Sequence, residues 1–354
     1  ELAFGADFVA VNLSHQGISG PKESTGFDLY AIPDVYLSWH PQNRPFAFGI
    51  AVNSPYGLGL DWKETSFARF DVYKATLNLF SIQPSLAFMF KEKFSIGVGI
   101  NFYVGSLDFK NKIDLAFLQA LPVLTGTEID AKFKGWGFAQ TVNIGAMLKP
   151  FKGLTLGLDF KTGRQMKYSG DVDLTNVPLA LGLGAEEVSY KANTALSIPA
   201  ILTFGLGYEI FSDLRVEFDL DWTKWSDFKT QNLDVSENPA LSQTYLRNWE
   251  DSLMYSFGTE WNVLEWLALR CGYSFVDNSV PDSTYEPGIP DFKRHVIAVG
   301  TGIRYKKYLI NMAYQEVLYV ANSVDNDILA PLVNMDGVYN GSAHIFSFGM
   351  QYSF

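Results

Sequence analysis

Three carboxylates stand at alternate positions of one stretch: Glu217, Asp219 and Asp221 in LRVEFDLDW. Residues two apart in a strand share a face, so the three would project together. Clustered carboxylates can exchange protons with a substrate or hold a Ca²⁺ ion. Neither chemistry is completed: there is no partnered Ser/His pair, no acidic calcium loop and no phosphate-binding loop. The four histidines, His15, His40, His295 and His344, are scattered. Cys271 is the single cysteine, which excludes an intramolecular disulfide and a cysteine metal site. The chain reads as a non-enzyme with no cofactor and no metal.

Other charged residues fall on the same side of their strands as small residues: Asp159, Lys161, Arg215, Glu260, Arg270 and Arg304. Two uses remain open. They form a self-neutralising network that holds water, or a cation among Lys161, Arg270 and Arg304 receives a substrate carboxylate.

The elements that must position these residues are strands. The last stretch, AHIFSFGMQYSF, is the clearest. Phe346, Phe348, Met350, Tyr352 and Phe354 point one way, and Ser347, Gly349, Gln351 and Ser353 the other. One face is apolar and aromatic, the other small and polar. That suits a strand with lipid outside and a polar lumen inside. Phe94–Val104 repeats it, with Phe94, Ile96, Val98, Ile100, Phe102 and Val104 against Ser95, Gly97, Gly99, Asn101 and Tyr103.

Composition agrees. Charged residues make up 18% of the 354, low for a soluble surface, while 47% are hydrophobic and 15% aromatic. No apolar run reaches the ~18 residues of a spanning helix. The net charge of −11 argues against nucleic acid. Eight Trp and eighteen Tyr can supply interfacial girdles. No signal peptide is present, so the sequence reads as mature or trimmed.

Taken in order, the strands are expected at Leu2–Leu13, Pro33–His40, Phe46–Asn53, Lys74–Phe90, Phe94–Phe109, Ala131–Leu148, Leu154–Met166, Ser197–Ile210, Leu214–Asp227, Asp251–Trp261, Trp266–Val276, Arg294–Tyr305, Tyr308–Tyr319 and Gly341–Phe354. These 14 strands alternate short turns with long loops, the asymmetry of a barrel with periplasmic turns and extracellular loops. The expected fold is an all-β, transmembrane antiparallel barrel in one domain, 1–354, in the bacterial outer membrane.

Three features bear on function. Ser54-Pro55-Tyr56-Gly57-Leu58-Gly59 should interrupt the third strand, because Pro cannot donate to a ladder and Gly marks bulges. The break is either a sideways opening to the bilayer or the point where the chain becomes loop. Two long loops carry apolar segments, Ile113–Leu124 (with a short helix ended by Pro122) and Val177–Leu183. They form a greasy landing groove, a lid, or both.

The residues also resemble a family. Ser54-Pro55-Tyr56-Gly57-Leu58-Gly59-Leu60-Asp61-Trp62 resembles the third-strand signature of the FadL/TodX outer-membrane transporters of hydrophobic compounds. Pro84-Ser85-Leu86-Ala87-Phe88, Ser197-Ile198-Pro199-Ala200, Asp219-Leu220-Asp221-Trp222-Thr223-Lys224-Trp225, Leu269-Arg270-Cys271-Gly272-Tyr273 and Ile289-Pro290-Asp291 follow in the same order. The resemblance implies passive uptake of long-chain fatty acids or aromatic hydrocarbons. Capture would fall to Leu115, Phe117, Leu118, Leu121 and Leu124, with Val177, Leu179 and Leu181. Lateral release would fall to Asn53, Ser54, Pro55, Tyr56 and Gly57. The implied partners are membrane lipid and a hydrophobic small molecule. The alternative is a structural barrel that docks a partner protein through its loops or lumen.

One departure stands out. The family has an N-terminal hatch with an Asn-Pro-Ala motif, whereas this sequence opens on the first strand. Its own Asn238-Pro239-Ala240 lies inside a loop and reads as chance. The hatch is expected to be lost, trimmed, or absent from a hatchless relative.

Overall fold

The computed structural model describes residues 1–354 except 19, 27, 115–126, 179–185 and 327–334. Fourteen long strands form one antiparallel sheet. They are β1 (Leu2–Gly17), β2 (Asp28–Trp39), β3 (Phe46–Asp61), β4 (Lys74–Phe90), β5 (Phe94–Asp114), β6 (Glu128–Leu148), β7 (Leu154–Lys161 with Arg164–Thr175), β8 (Val188–Ile198 with Ala200–Glu209), β9 (Leu214–Lys224), β10 (Ser252–Leu264), β11 (Leu267–Val276), β12 (Arg294–Tyr305), β13 (Tyr308–Tyr319) and β14 (Gly337–Tyr352). Each pairs with the next, and β14 returns to β1 from Leu2↔Tyr352 to Gly17↔Gly337. The sheet closes on itself as a barrel, which satisfies most backbone hydrogen bonds without water.

Sequence parity sets the two faces. On β5, Phe94, Ile96, Val98, Ile100 and Val104 are exposed, as are Phe346 and Phe348 on β14. Their neighbours Asn101, Tyr103 and Leu107 are buried in the lumen. Cys271 is exposed on the outer wall, as its outward apolar neighbours imply. Short turns at one end join β4–β5, β6–β7, β8–β9, β10–β11 and β12–β13. Residues that tolerate positive φ make some of them, Lys91 and Glu92 (φ 49° and 57°) and Lys306 (φ 54°) among them.

Several strands run further into the loop end than expected. β2 begins at Asp28, not Pro33, and β14 at Gly337, not Gly341. β5 continues to Asp114, and the stretch expected as loop at Asp171–Lys191 holds the ends of β7 and β8. There the inward positions stay apolar, as Met166, Tyr168, Val172 and Leu174 show, while the outward ones turn polar, so no lipid-facing apolar row marks the strand. The expected short helix after Ile113 lies outside the described residues.

Candidate functional site

The lumen has two chemically distinct halves. Toward the short turns it is polar. Asn143 Oδ1 accepts from Gln83 Nε2 (3.1 Å) and Asn101 Nδ2 (3.5 Å). Arg270 pairs with Glu260 (2.7 Å) and donates to Asn311 (2.8 Å). Arg215 pairs with Glu217 (2.6 Å), and Thr203 donates to Asp221. Of the carboxylate trio, Glu217 is thus paired along its own strand and Asp221 with the neighbouring strand. Arg270, Arg215, Glu217, Glu260, Asp7 and Asp34 line a cavity of about 570 Å³. Arg304 sits at the turn end, exposed, donating to Asn262 Oδ1 (2.8 Å). Of the three candidate cations, only Lys161 approaches the third strand: its ammonium donates to Tyr56 Oη (2.9 Å) and stands 5.0 Å over that ring.

Toward the loops the lumen is apolar. Leu79, Leu107, Met166, Tyr168 and Ile198 are buried together. With Phe109, Trp225, Phe228 and Trp249 they line a chamber of about 350 Å³. Trp249 stacks edge-on against both Trp225 and Phe228, and its buried Nε1 has no hydrogen-bond partner among the described residues. Beside the chamber lies a narrower groove of about 150 Å³ between Ile113, Phe133, Val172, Leu174, Leu233 and Leu241. Phe109 and Ile289 line both spaces. Leu241 belongs to the short helical turn Pro239–Leu241, whose first residues are those of the Asn-Pro-Ala stretch.

One end of the groove is closed by a buried polar knot tying three loops. Arg247 and Glu286, 4% and 6% exposed, form an ion pair. Gln231 Oε1 accepts from Arg247 Nη2 (2.8 Å) and Nε (3.2 Å), and Thr284 Oγ1 donates to the Arg247 carbonyl (2.6 Å). Asp71 accepts from the Gly288 amide (3.1 Å). Burial holds the Asp71 carboxyl well above the usual carboxylate range, and nearby Glu286 adds to this.

The chamber ends at the third strand. β3 pairs with β4 in one register to Asn53↔Ser81 and in another from Tyr56↔Leu79, so β3 carries one extra residue. Ser54 Oγ donates to the Leu79 carbonyl (2.6 Å), satisfying an acceptor within the bulge. The extra residue reverses the alternation: Phe48, Ile50 and Val52 face out, but Tyr56, Leu58 and Leu60 turn inward. On the other side, β2 and β3 pair only from Trp39↔Phe48 to Val35↔Val52. Above that, β2 keeps its bonds to β1 and β3 to β4, but no pair joins Asp28–Asp34 to residues 53–61. Both unpaired flanks carry a proline, Pro33 and Pro55, as strand edges do. The Tyr30 ring lies against Gly59, where a Cβ would have no room.

The third strand is therefore continuous through Asp61 but bulged and unpaired on one side, where an interruption is expected from the sequence. Asn53, Ser54, Pro55, Tyr56 and Gly57 lie together at that place, and the last three line the chamber. Val177 is fully buried with Leu174 and Val235. Leu115, Phe117, Leu118, Leu121, Leu124, Leu179 and Leu181 lie outside the described residues. The chamber residues Leu79, Leu107, Phe109, Met166, Trp225 and Trp249 are not anticipated by the sequence reading. Leu79, Leu107, Phe109 and Met166 carry a signal, as large apolar residues at inward parity in the loop-side halves of their strands, whereas Trp225 and Trp249 lie in a loop.

A closed 14-stranded sheet with a lipid-facing belt and a filled lumen defines an outer-membrane β-barrel rather than a soluble sandwich. The comparisons make the assignment narrower. Residues 10–354 match the family described as outer membrane protein transport protein (OMPP1/FadL/TodX). A long-chain fatty acid transport protein of Salmonella typhi is 24% identical over 329 residues, covering 86% of this chain and 74% of its own. Outer membrane protein P1 of Haemophilus influenzae is 20% identical over 355 residues, covering 91% and 75%. Among solved structures, a Pseudomonas aeruginosa FadL homologue superposes with a TM-score of 0.87 at 19% identity, covering all of this chain and 90% of that one. The toluene transporter TodX of P. putida does so at 0.76 and 16%, covering 100% and 89%. The chain belongs to the OMPP1/FadL/TodX family of outer-membrane transporters of hydrophobic compounds.

Proposed function

We propose that this barrel takes up long-chain fatty acids or aromatic hydrocarbons passively and releases them sideways into the bilayer. The loops bearing Leu115, Phe117, Leu118, Leu121, Leu124, Val177, Leu179 and Leu181 capture the molecule. It slides along the groove, passes Phe109 and Ile289, and enters the chamber. Tyr56 then yields, and the molecule leaves between β2 and β3. The observation that carries this reading is the sharing of Pro55, Tyr56 and Gly57 between the chamber lining and the unpaired wall.

The energetics favour the route. An apolar solute gains roughly 25 cal/mol for each Å² removed from water, and the groove and chamber offer walls rich in apolar side chains, with the polar Gln231, Arg247 and Glu286 at one end of the groove. Passing down the lumen instead would carry it through ion pairs and amides, with that gain lost. The indole N–H of Trp249, unpartnered among the described residues, offers one donor to an oxygen on the ligand. Lys161 beside Tyr56 offers a cation to a carboxylate at the exit.

Photo-crosslinking tests the route. A diazirine-bearing fatty acid and a diazirine-bearing alkylbenzene are expected to label Phe109, Leu107 and Tyr56. Labelling confined to the Arg270–Glu260 cavity would overturn the proposal.

A further inference from the structure

The outer wall of β6–β8 is unlike the rest of the belt. On β6 the outward residues run Leu148, Ala146, Ile144, Val142, Gln140 and Phe138 to Trp136, then turn to Lys134 and Lys132. The 12 residue steps from Leu148 to Trp136 rise about 29 Å at ~3.4 Å per residue and ~45° tilt, so Trp136 stands where the apolar layer ends. β5 changes character in the same row, with Val104 opposite Phe138 and Ser106 opposite Trp136. Trp136 is 62% exposed.

Around it lies an open depression of about 710 Å³ lined by Lys134, Ser169, Asp171, Asp173, Lys191 and Asn193. β6 and β7 run close together here, with Gly135 opposite Gly170 and no room for a Cβ on Gly170. Several polar groups satisfy each other: Lys191 pairs with Asp171 (2.6 Å), Ser189 donates to Asp173 (2.7 Å) and Ser169 to Asn193 (2.6 Å). Glu237 accepts from the Lys191 amide (3.1 Å). Two cations make no ion pair among the described residues: Lys134, one outward position above Trp136 and opposite Asp171, and Lys167, opposite Phe138. Other lysines of the band do, as in Lys132–Asp108 and Lys112–Asp130.

An exposed indole flanked by carboxylate, amide and hydroxyl groups suits a sugar ring, which has an apolar face and a rim of hydroxyls. Free ammonium groups on either side suit phosphates, and basic clusters at headgroup depth bind lipid headgroups. We propose that this face binds the phosphorylated sugar headgroup of an outer-leaflet glycolipid. The sugar lies on Trp136, its hydroxyls meet Asp173 and Asn193, and its phosphates meet Lys134 and Lys167. The site is outside the barrel and does not depend on the transport route.

The test compares the full chain in vesicles of phosphatidylcholine, of phosphatidylcholine with phosphatidylglycerol, and of phosphatidylcholine with a bis-phosphorylated diglucosamine lipid. Bound lipid is counted by native mass spectrometry. The wild-type chain is expected to retain the glycolipid at least tenfold over phosphatidylglycerol. W136A and the double variant K134Q/K167Q are expected to lose that preference, and W136F to keep most of it. The variant W261A, on another part of the wall, reports general damage and is expected to behave as wild type. Heat-modifiable gel mobility checks that each variant is folded. Equal retention of both anionic lipids would reduce the face to non-specific charge and overturn the proposal. So would a preference that survives in folded W136A and K134Q/K167Q.

Discussion

The two halves of the lumen answer the same problem in opposite ways. The turn-side half is wide and wet, and its charges are matched in pairs about one third exposed, as in Arg270–Glu260. The loop-side half is dry, and among the described residues its fully buried ion pair, Arg247 with Glu286, is sealed with Asp71 between three loops. The difference teaches where the barrel can carry an apolar solute. The dry half meets the wall at the strand that lacks a partner. The wet half meets fully paired wall.

Removing one charge from each half should separate them most widely. Arg247→Ala strands Glu286 in a buried site and is expected to cost ~3–5 kcal/mol. Hydrogen exchange should show residues 282–288 losing protection. Arg270→Ala removes a wet pair and is expected to cost at most about 1 kcal/mol in the same measurement. Similar losses at both sites would erase the distinction.

A polar atom in the dry half is the next test. Leu107, fully buried, changed to Asn is expected to lower stability by ~2–4 kcal/mol and hydrophobic uptake at least tenfold. Asn101→Leu in the wet half is expected to leave uptake within about twofold.

A smaller effect should appear with pH. Asp71 has its folded pKa raised, so its contribution is full at acid pH and is lost as pH rises toward that folded pKa. Asp71→Asn does not titrate. Protection of Gly288 should match wild type near pH 4, and the variant should gain on wild type by up to ~1.4 kcal/mol per pH unit above it. A constant difference across that range would refute a raised pKa for the buried Asp71. Smallest of all, Arg304→Gln at the turn-end rim is expected to change uptake by less than about twofold.

Much of the barrel was legible because lipid imposes period two. Phe94 to Val104 and Phe346 to Phe348 leave no other assignment, and the short turns follow. The strand extensions beyond the belt were not legible, since β7 and β8 there present Lys, Asp and Ser where lipid no longer selects. Pro55 and Gly57 marked the disturbed place in the third strand. Its form was hidden, because a bulge shows only as a switch of parity between Val52 and Tyr56. The chamber was missed for a related reason: Leu107 and Phe109 read as ordinary strand residues until partners from β4, β7 and the loops surround them. The Arg247–Glu286–Asp71 knot joins residues more than 200 positions apart, which local pattern does not reveal.

The central claim is lateral release through the wall beside β3. The most direct measurement is uptake of a labelled long-chain fatty acid and of toluene into liposomes. The comparison is the wild-type chain against a variant in which Ser54–Gly59 is rebuilt as regular strand pairing with β2. The account predicts that the folded variant loses at least nine tenths of uptake. Equal uptake by both chains would contradict it and send the solute down the lumen.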